Sequence, residues 1–79
     1  MTSEELIPRI QFVFDRVFGG SVSFDPSLAR IDEAQWTSLR HVELIIALEQ
    51  ELGIRFDGAD ATDMTSIPII TDRCRQRLR

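Results

Sequence analysis

Apolar side chains along this chain fall into helical runs separated by one long stretch without any period. Leu6, Ile7, Ile10, Val13, Phe14, Val17 and Phe18 recur at three- and four-residue steps, the pattern of an amphipathic helix. Ser3 suits its N-cap, and Glu4 and Glu5 stand in the first turn, where the helix dipole favours acids. Pro8 is tolerated if that first turn starts near Glu5, and Gly19-Gly20 closes the helix. From Gly19 to Thr37 no period is sustained. Asp25-Pro26-Ser27 signals a turn, a short helical turn can follow Pro26, and Leu28, Ile31 and Trp36 are expected to pin the loop to the core. Loops of this length are uncommon in compact domains and usually serve a function. This one can carry the chain across the whole domain, making the helices on either side neighbours.

A second helix is expected over about Ser38 to Leu52, stopped by Gly53. Asp57-Gly58 reads as a turn, and Asp60 to Met64 as one brief helical turn at most. Ser66 can cap a last helix with Pro68 in its first turn, and Ile67, Ile70, Cys74 and Leu78 share one face of it. The expected architecture is all-α: three main helices plus one short helix, packed as a small four-helix bundle with a long loop between helices 1 and 2.

On a helical wheel, at about 100° per residue, the second helix carries two apolar stripes. Leu44, Ile45, Leu48 and Leu52 form one, which includes His41; Leu39, Val42 and Ile46 form the other. Ser38 and Glu49 lie between them. One stripe must face the core. The other either is buried too, with the helix lying centrally between the first and last helices, or is an exposed strip flanked by acids that marks a docking surface. In the second case Glu43 and Glu49 would meet basic residues of a partner.

Composition narrows the class. The chain has 79 residues, an ordinary apolar fraction and one cysteine, so a single domain over residues 1–79 with one modest core and no internal disulfide is expected. No membrane-spanning run or leader pattern is visible, and a cytoplasmic location is expected. Thirteen acids and nine arginines give −4 overall, but Arg73, Arg75, Arg77 and Arg79 crowd the C-terminus. Residues 1–72 therefore hold thirteen acids against five arginines, a net of −8. Such a body repels nucleic acid and anionic membrane and steers toward basic docking patches. Nucleic-acid binding through the terminal arginines is disfavoured further by the lack of lysine and of any basic exposed helix face.

Candidate chemistry is sparse. His41 is the only histidine and has no ligand-spaced companions, so packing outweighs a role as base or metal ligand. Cys74 lies on an apolar face, where cysteine acts as a small hydrophobe. Trp36 is read as an anchor for the loop in preference to a partner contact. No nucleophile–base pair can be assembled, and an enzyme is not expected. Ser38 remains. A serine before an apolar periodic run is commonly an N-cap, but a helix N-terminus also favours an anion there by about 0.3–1 kcal/mol.

Ser38-Leu39, then Val42-Glu43-Leu44, Ala47-Leu48-Glu49 and Glu51, with Gly53-Ile54 following, resembles the serine-leucine motif and second helix of acyl carrier proteins. Phe14 and Val17, the long loop, and Met64-Thr65-Ser66-Ile67 also fall where that family has matching features. The resemblance implies a non-catalytic carrier whose Ser38 accepts 4′-phosphopantetheine from coenzyme A through a phosphopantetheinyl transferase. The arm's thiol would then hold an acyl or aminoacyl group as a thioester. Implied partners are an acyl or aminoacyl ligase and acyltransferase or synthase enzymes of fatty-acid, polyketide or related specialised pathways, visited by a monomeric carrier. Thr37, Leu39, Val42, Glu43 and Ile46 would face partners. His41, Leu44, Ile45, Leu48 and Leu52 would line the acyl cavity.

Three positions depart from the family pattern. Thr37 replaces the aspartate that usually precedes the serine and helps engage the transferase. Arg40 stands where many fatty-acid carriers have an acid, and His41 where a small polar residue is common, which would shorten or polarise the cavity. These departures imply a specialised carrier. The alternative is a carrier-like subunit that is never modified and serves only protein interaction.

Overall fold

The computed structural model describes residues 2–78; Arg79 of the terminal arginine cluster lies outside the described residues. Among the described residues four α-helices follow one another: α1 (Ser3–Phe18), α2 (Ser38–Leu52), α3 (Gly58–Asp63) and α4 (Ile67–Arg77). Among the described residues there is no strand, only an isolated antiparallel bridge between Ala29 and Ser66. The expected architecture of three longer helices and one short one is what the chain adopts.

α1 packs against both α2 and α4. Its inward stripe of Leu6, Ile10, Val13, Phe14 and Phe18 is buried, with Phe14 at the centre of an aromatic cluster. The Phe14 ring lies 4.4 Å from Phe18, 5.5 Å from Phe24 and 5.8 Å from Trp36, the last two edge-on, an arrangement that aromatic quadrupoles favour. Two arginines lash α1 to α2 in antiparallel fashion by capping one another's helix ends. Arg9 donates to the Glu51 carbonyl at 3.0 Å, and Arg40 to the Val17 carbonyl at 3.1 Å. Cations at C-terminal carbonyls satisfy orphan acceptors and complement the dipole.

Several local details differ from the sequence expectation. Thr2, not Ser3, caps α1, accepting from the Glu5 N–H. The helix therefore starts earlier than Glu5 and Pro8 lies in its second turn, on the exposed side, where water can reach the carbonyl that the proline leaves unpaired. Within the loop the Asp25-Pro26-Ser27 turn is present, with Asp25 Oδ1 accepting from the Ser27 N–H at 2.8 Å. Trp36 is buried as expected and Leu28 packs partly against the core, but Ile31 is 93% exposed. It sits on a 3-10 turn, Arg30–Asp32, whose backbone is fixed from the other side by Arg30 N–H to Thr65 O at 2.8 Å. Val22 is buried under the loop instead, with the partly buried Phe24 packed against the core.

α3 begins two residues before the expected turn. Asp57 and Asp60 form a reciprocal capping box, Asp57 Oδ1 accepting from Asp60 N–H at 2.7 Å and Asp60 Oδ2 from Asp57 N–H at 3.2 Å. Asp60 is buried and also receives Arg73 at 2.9 Å and Arg77, which clamps α3 onto α4. Burial pushes the Asp60 carboxyl up, but the hydrogen bonds from Asp57, Arg77 and Arg73 outweigh it and hold the group below its ordinary value. A depressed carboxyl stabilises the fold above the unfolded pKa of about 3.9 and loses that contribution as pH falls through the folded value. Asp60→Asn is therefore expected to lower stability by about 2 kcal/mol at neutral pH. Urea unfolding at pH 7 and pH 3 should show the gap between wild type and variant narrowing in acid.

Candidate functional site

The first turn of α2 follows the end of the loop, and its cap is Thr37 rather than Ser38. Thr37 has extended backbone angles, and its hydroxyl accepts from the Arg40 N–H at 3.3 Å. Threonine and aspartate both have an oxygen placed for this bond, so the threonine does the helix-starting work of an acidic neighbour without its charge. Ser38 is the first helical residue, exposed, and relieved of any capping duty. Its Oγ accepts a hydrogen bond from Arg30 Nη2 at 3.0 Å, while Arg30 Nε donates to the Trp36 carbonyl at 3.0 Å. Positive charge and a free hydroxyl thus meet at a helix N-terminus.

The two stripes of α2 have separate environments. His41, Leu44, Ile45, Leu48 and Leu52 are buried. Leu39, Val42 and Ile46 are 70%, 54% and 48% exposed. The helix is therefore not enclosed on both sides; α1 takes the place between α2 and α4. Glu43 stands beside the exposed stripe, 3.5 Å from Arg40. Glu49 does not join it, because its carboxylate accepts the Phe56 N–H at 2.8 Å and ties down the chain after α2. Arg40 is likewise turned back onto α1 and Glu43, which diminishes the charge it presents outward.

His41 bridges α2 to its surroundings through both ring nitrogens. The Trp36 indole N–H, which can only donate, lies 3.0 Å from His41 Nδ1. Nδ1 is therefore the acceptor, and the proton resides on Nε2, which donates to the Ala61 carbonyl of α3 at 2.7 Å. The imidazole stands between α2 and α3 at the top of the buried stripe. Sequence reasoning expected a bulky group there but had no means of finding its two partners, which lie in the loop and in a different helix.

Cys74 is fully buried, and burial pushes its thiol up to about 12. A group so far from ionising is a poor nucleophile. Beside Arg30 the surface opens into a cleft of about 540 Å³ lined by Ala29, Ile31, Trp36, Thr65, Ser66 and Ile69. A second cleft of about 400 Å³ lies between α1 and α2, near Val17, Arg40 and Ile46. The first includes Arg30, which hydrogen-bonds to Ser38. No reading made from the sequence singled out Arg30; its one signal was a cation inside an otherwise acidic loop.

No protein-family model matches this sequence, and no curated protein sequence matches it. Among solved structures the chain is similar to a holo acyl carrier protein from Geobacter metallireducens, determined by solution NMR. The TM-score is 0.80 over 92% of this chain and 85% of that one, at 23% identity. This chain has the acyl carrier protein fold. Within that fold the exposed Ser38 stands at the start of the second helix, after the long loop. No helix among the described residues is long and apolar enough to cross a membrane.

The division of labour between Thr37 and Ser38 is open to direct measurement. Thr37→Ala is expected to cost about 1 kcal/mol in denaturant unfolding, as loss of a cap does. Ser38→Ala should change stability by much less. Equal losses would mean that the serine shares in capping.

Proposed function

We propose that this chain is a carrier protein rather than a catalyst, with 4′-phosphopantetheine attached to Ser38. The observation that carries this reading is the Ser38 hydroxyl itself: exposed at the head of α2, freed from capping by Thr37 and held by a guanidinium. The fold it shares with a holo acyl carrier protein supports the same assignment. These residues fit the group. The hydroxyl is accessible to a phosphopantetheinyl transferase, and the positive end of α2 and Arg30 both favour a phosphodiester there.

In the loading step Ser38 Oγ would attack the coenzyme A phosphorus that carries pantetheine. The serine proton would pass to a base of the transferase, and the bond to the adenosine bisphosphate would break. When bound, the prosthetic group supplies a thiol that holds the cargo as a thioester. The remaining tasks belong to the chain. Leu39, Val42 and Ile46 give partner enzymes an apolar strip, Glu43 gives them an acid to pair with, and Thr37 borders Ser38 at the same edge. Ligases, acyltransferases and synthases of a specialised lipid or secondary-metabolite pathway are the proposed partners.

Leu44, Ile45, Leu48 and Leu52 are the proposed walls for an acyl cargo sheltered between α2 and α3. His41 limits that space, because its bond to Ala61 ties α2 to α3 where a chain would enter and its bond to Trp36 fixes the ring there. Melting temperature is expected to rise with acyl length in a series of loaded thioesters, and to level off at a shorter chain in wild type than in His41→Ala.

The direct test is intact mass before and after incubation with coenzyme A and a broad-specificity transferase. A phosphopantetheine adduct that is lost in Ser38→Ala is expected. A thiol-reactive disulfide reagent should find no reactive group in the native unmodified protein and one after loading, since Cys74 is buried. Folded protein that stays unmodified beside an active control carrier would leave an interaction subunit as the reading.

A further inference from the structure

Most arginines of this chain are matched to carboxylates. Arg9 pairs with Glu51, Arg40 with Glu43, Arg75 with Asp72, and Arg73 and Arg77 both with Asp60. Arg16, Arg30 and Arg55 form no ion pair among the described residues, and of these three Arg30 is the one held by hydrogen bonds: both of its side-chain bonds end on neutral oxygens, the Trp36 carbonyl and Ser38 Oγ. Its placement is built from two directions. Its backbone N–H is held by Thr65 O at 2.8 Å beside the Ala29–Ser66 bridge, and its Nε is held by the loop end that leads into α2. A planar fork with one edge anchored is oriented in advance, so little further rotamer entropy is lost when its Nη edge takes an acceptor.

A neutral hydroxyl is a weak partner for such a group. Guanidinium bonds to phosphate oxygens are shorter, charge-assisted and roughly twice as strong. The half-buried guanidinium also lines the cleft of about 540 Å³, which leaves room beside it for an added group. We infer that Arg30 is the chain's own clamp for a phosphoryl group on Ser38, holding the non-bridging oxygens of the phosphodiester that joins the prosthetic arm to α2. The inference rests on Ser38 being the loading site, and it assigns to the loop a task that helix 2 does not perform alone.

The test separates the clamp from the loading reaction. Phosphoserine is installed at position 38 by genetic code expansion in the otherwise native chain, in Arg30→Gln and in Arg30→Lys, and circular dichroism checks that each is folded. Phosphorus NMR then follows the second ionisation of the phosphate, ordinarily near pH 6, at low ionic strength. Arg30 is expected to lower the midpoint by about one pH unit relative to Arg30→Gln, with Arg30→Lys between them and the difference shrinking in salt. Equal midpoints in the native chain and Arg30→Gln would overturn the clamp. In parallel, the transferase-loaded protein is compared with loaded Arg30→Gln, and a change in the phosphodiester resonance is expected. Loading with equal midpoints and equal resonances would leave the carrier reading intact and remove Arg30 from it. A lowered midpoint without loading by any transferase would retain Arg30 as a phosphate-binding residue and retire the carrier reading.

Discussion

Burial of Trp36 is the constraint on which the rest of the structure depends. The loop between α1 and α2 has little regular structure, a 3-10 turn at Arg30–Asp32 and the Ala29–Ser66 bridge, and the large indole fixes its end in the aromatic cluster around Phe14. Burying an indole strands an N–H donor, which must find an acceptor or cost of the order of 1–3 kcal/mol. His41 provides that acceptor and then needs a partner for its own second nitrogen, which the Ala61 carbonyl of α3 supplies. One aromatic residue thereby leads to a chain of satisfied polar groups that joins the loop, α2 and α3. Among the described residues, no buried side-chain nitrogen or oxygen is left without a partner.

The same anchoring decides what α2 displays. With the loop fixed and α1 packed against both α2 and α4, α2 buries one stripe and leaves the other to solvent. An exposed aliphatic stripe beside an exposed serine is the kind of surface that marks an interaction site. Many charges elsewhere are taken up in helix caps and clamps, such as Glu49 on the Phe56 N–H and Asp60 under Arg73 and Arg77. Near Ser38, Arg30 meets neutral oxygens in place of a carboxylate, and Glu43 keeps a partly exposed side chain beside Arg40.

Thr37 shows how a departure from a family pattern can be read too narrowly. As a sequence feature it is the absence of a carboxylate before the serine. In the fold it is a competent N-cap, so the helix starts at the same point and Ser38 keeps its hydroxyl for other chemistry. Replacing a carboxylate by a hydroxyl there changes the charge and keeps the geometry of the helix start.

Periodicity and capping residues together determined the three longer helices, because burial of one face imposes its repeat on local sequence and helix ends need local partners: the bounds of α2, the glycine stops after α1 and α2, the Ser66 cap and the two stripes of α2 are all legible. Local signals also misled where two residue types can do the same work. Thr2 and Ser3 compete for one cap, Thr37 and Ser38 for another, and Asp57-Gly58 reads as a turn although Asp57 starts a helix. Only the tertiary structure decided which loop residues turn inward, placing Val22 in the core, Phe24 against it and Ile31 in solvent. It alone brought Arg30 to Ser38 and His41 to Ala61. Those meetings depend on where an aperiodic loop folds back, and that path is set by packing among residues far apart in the chain, which no local repeat encodes.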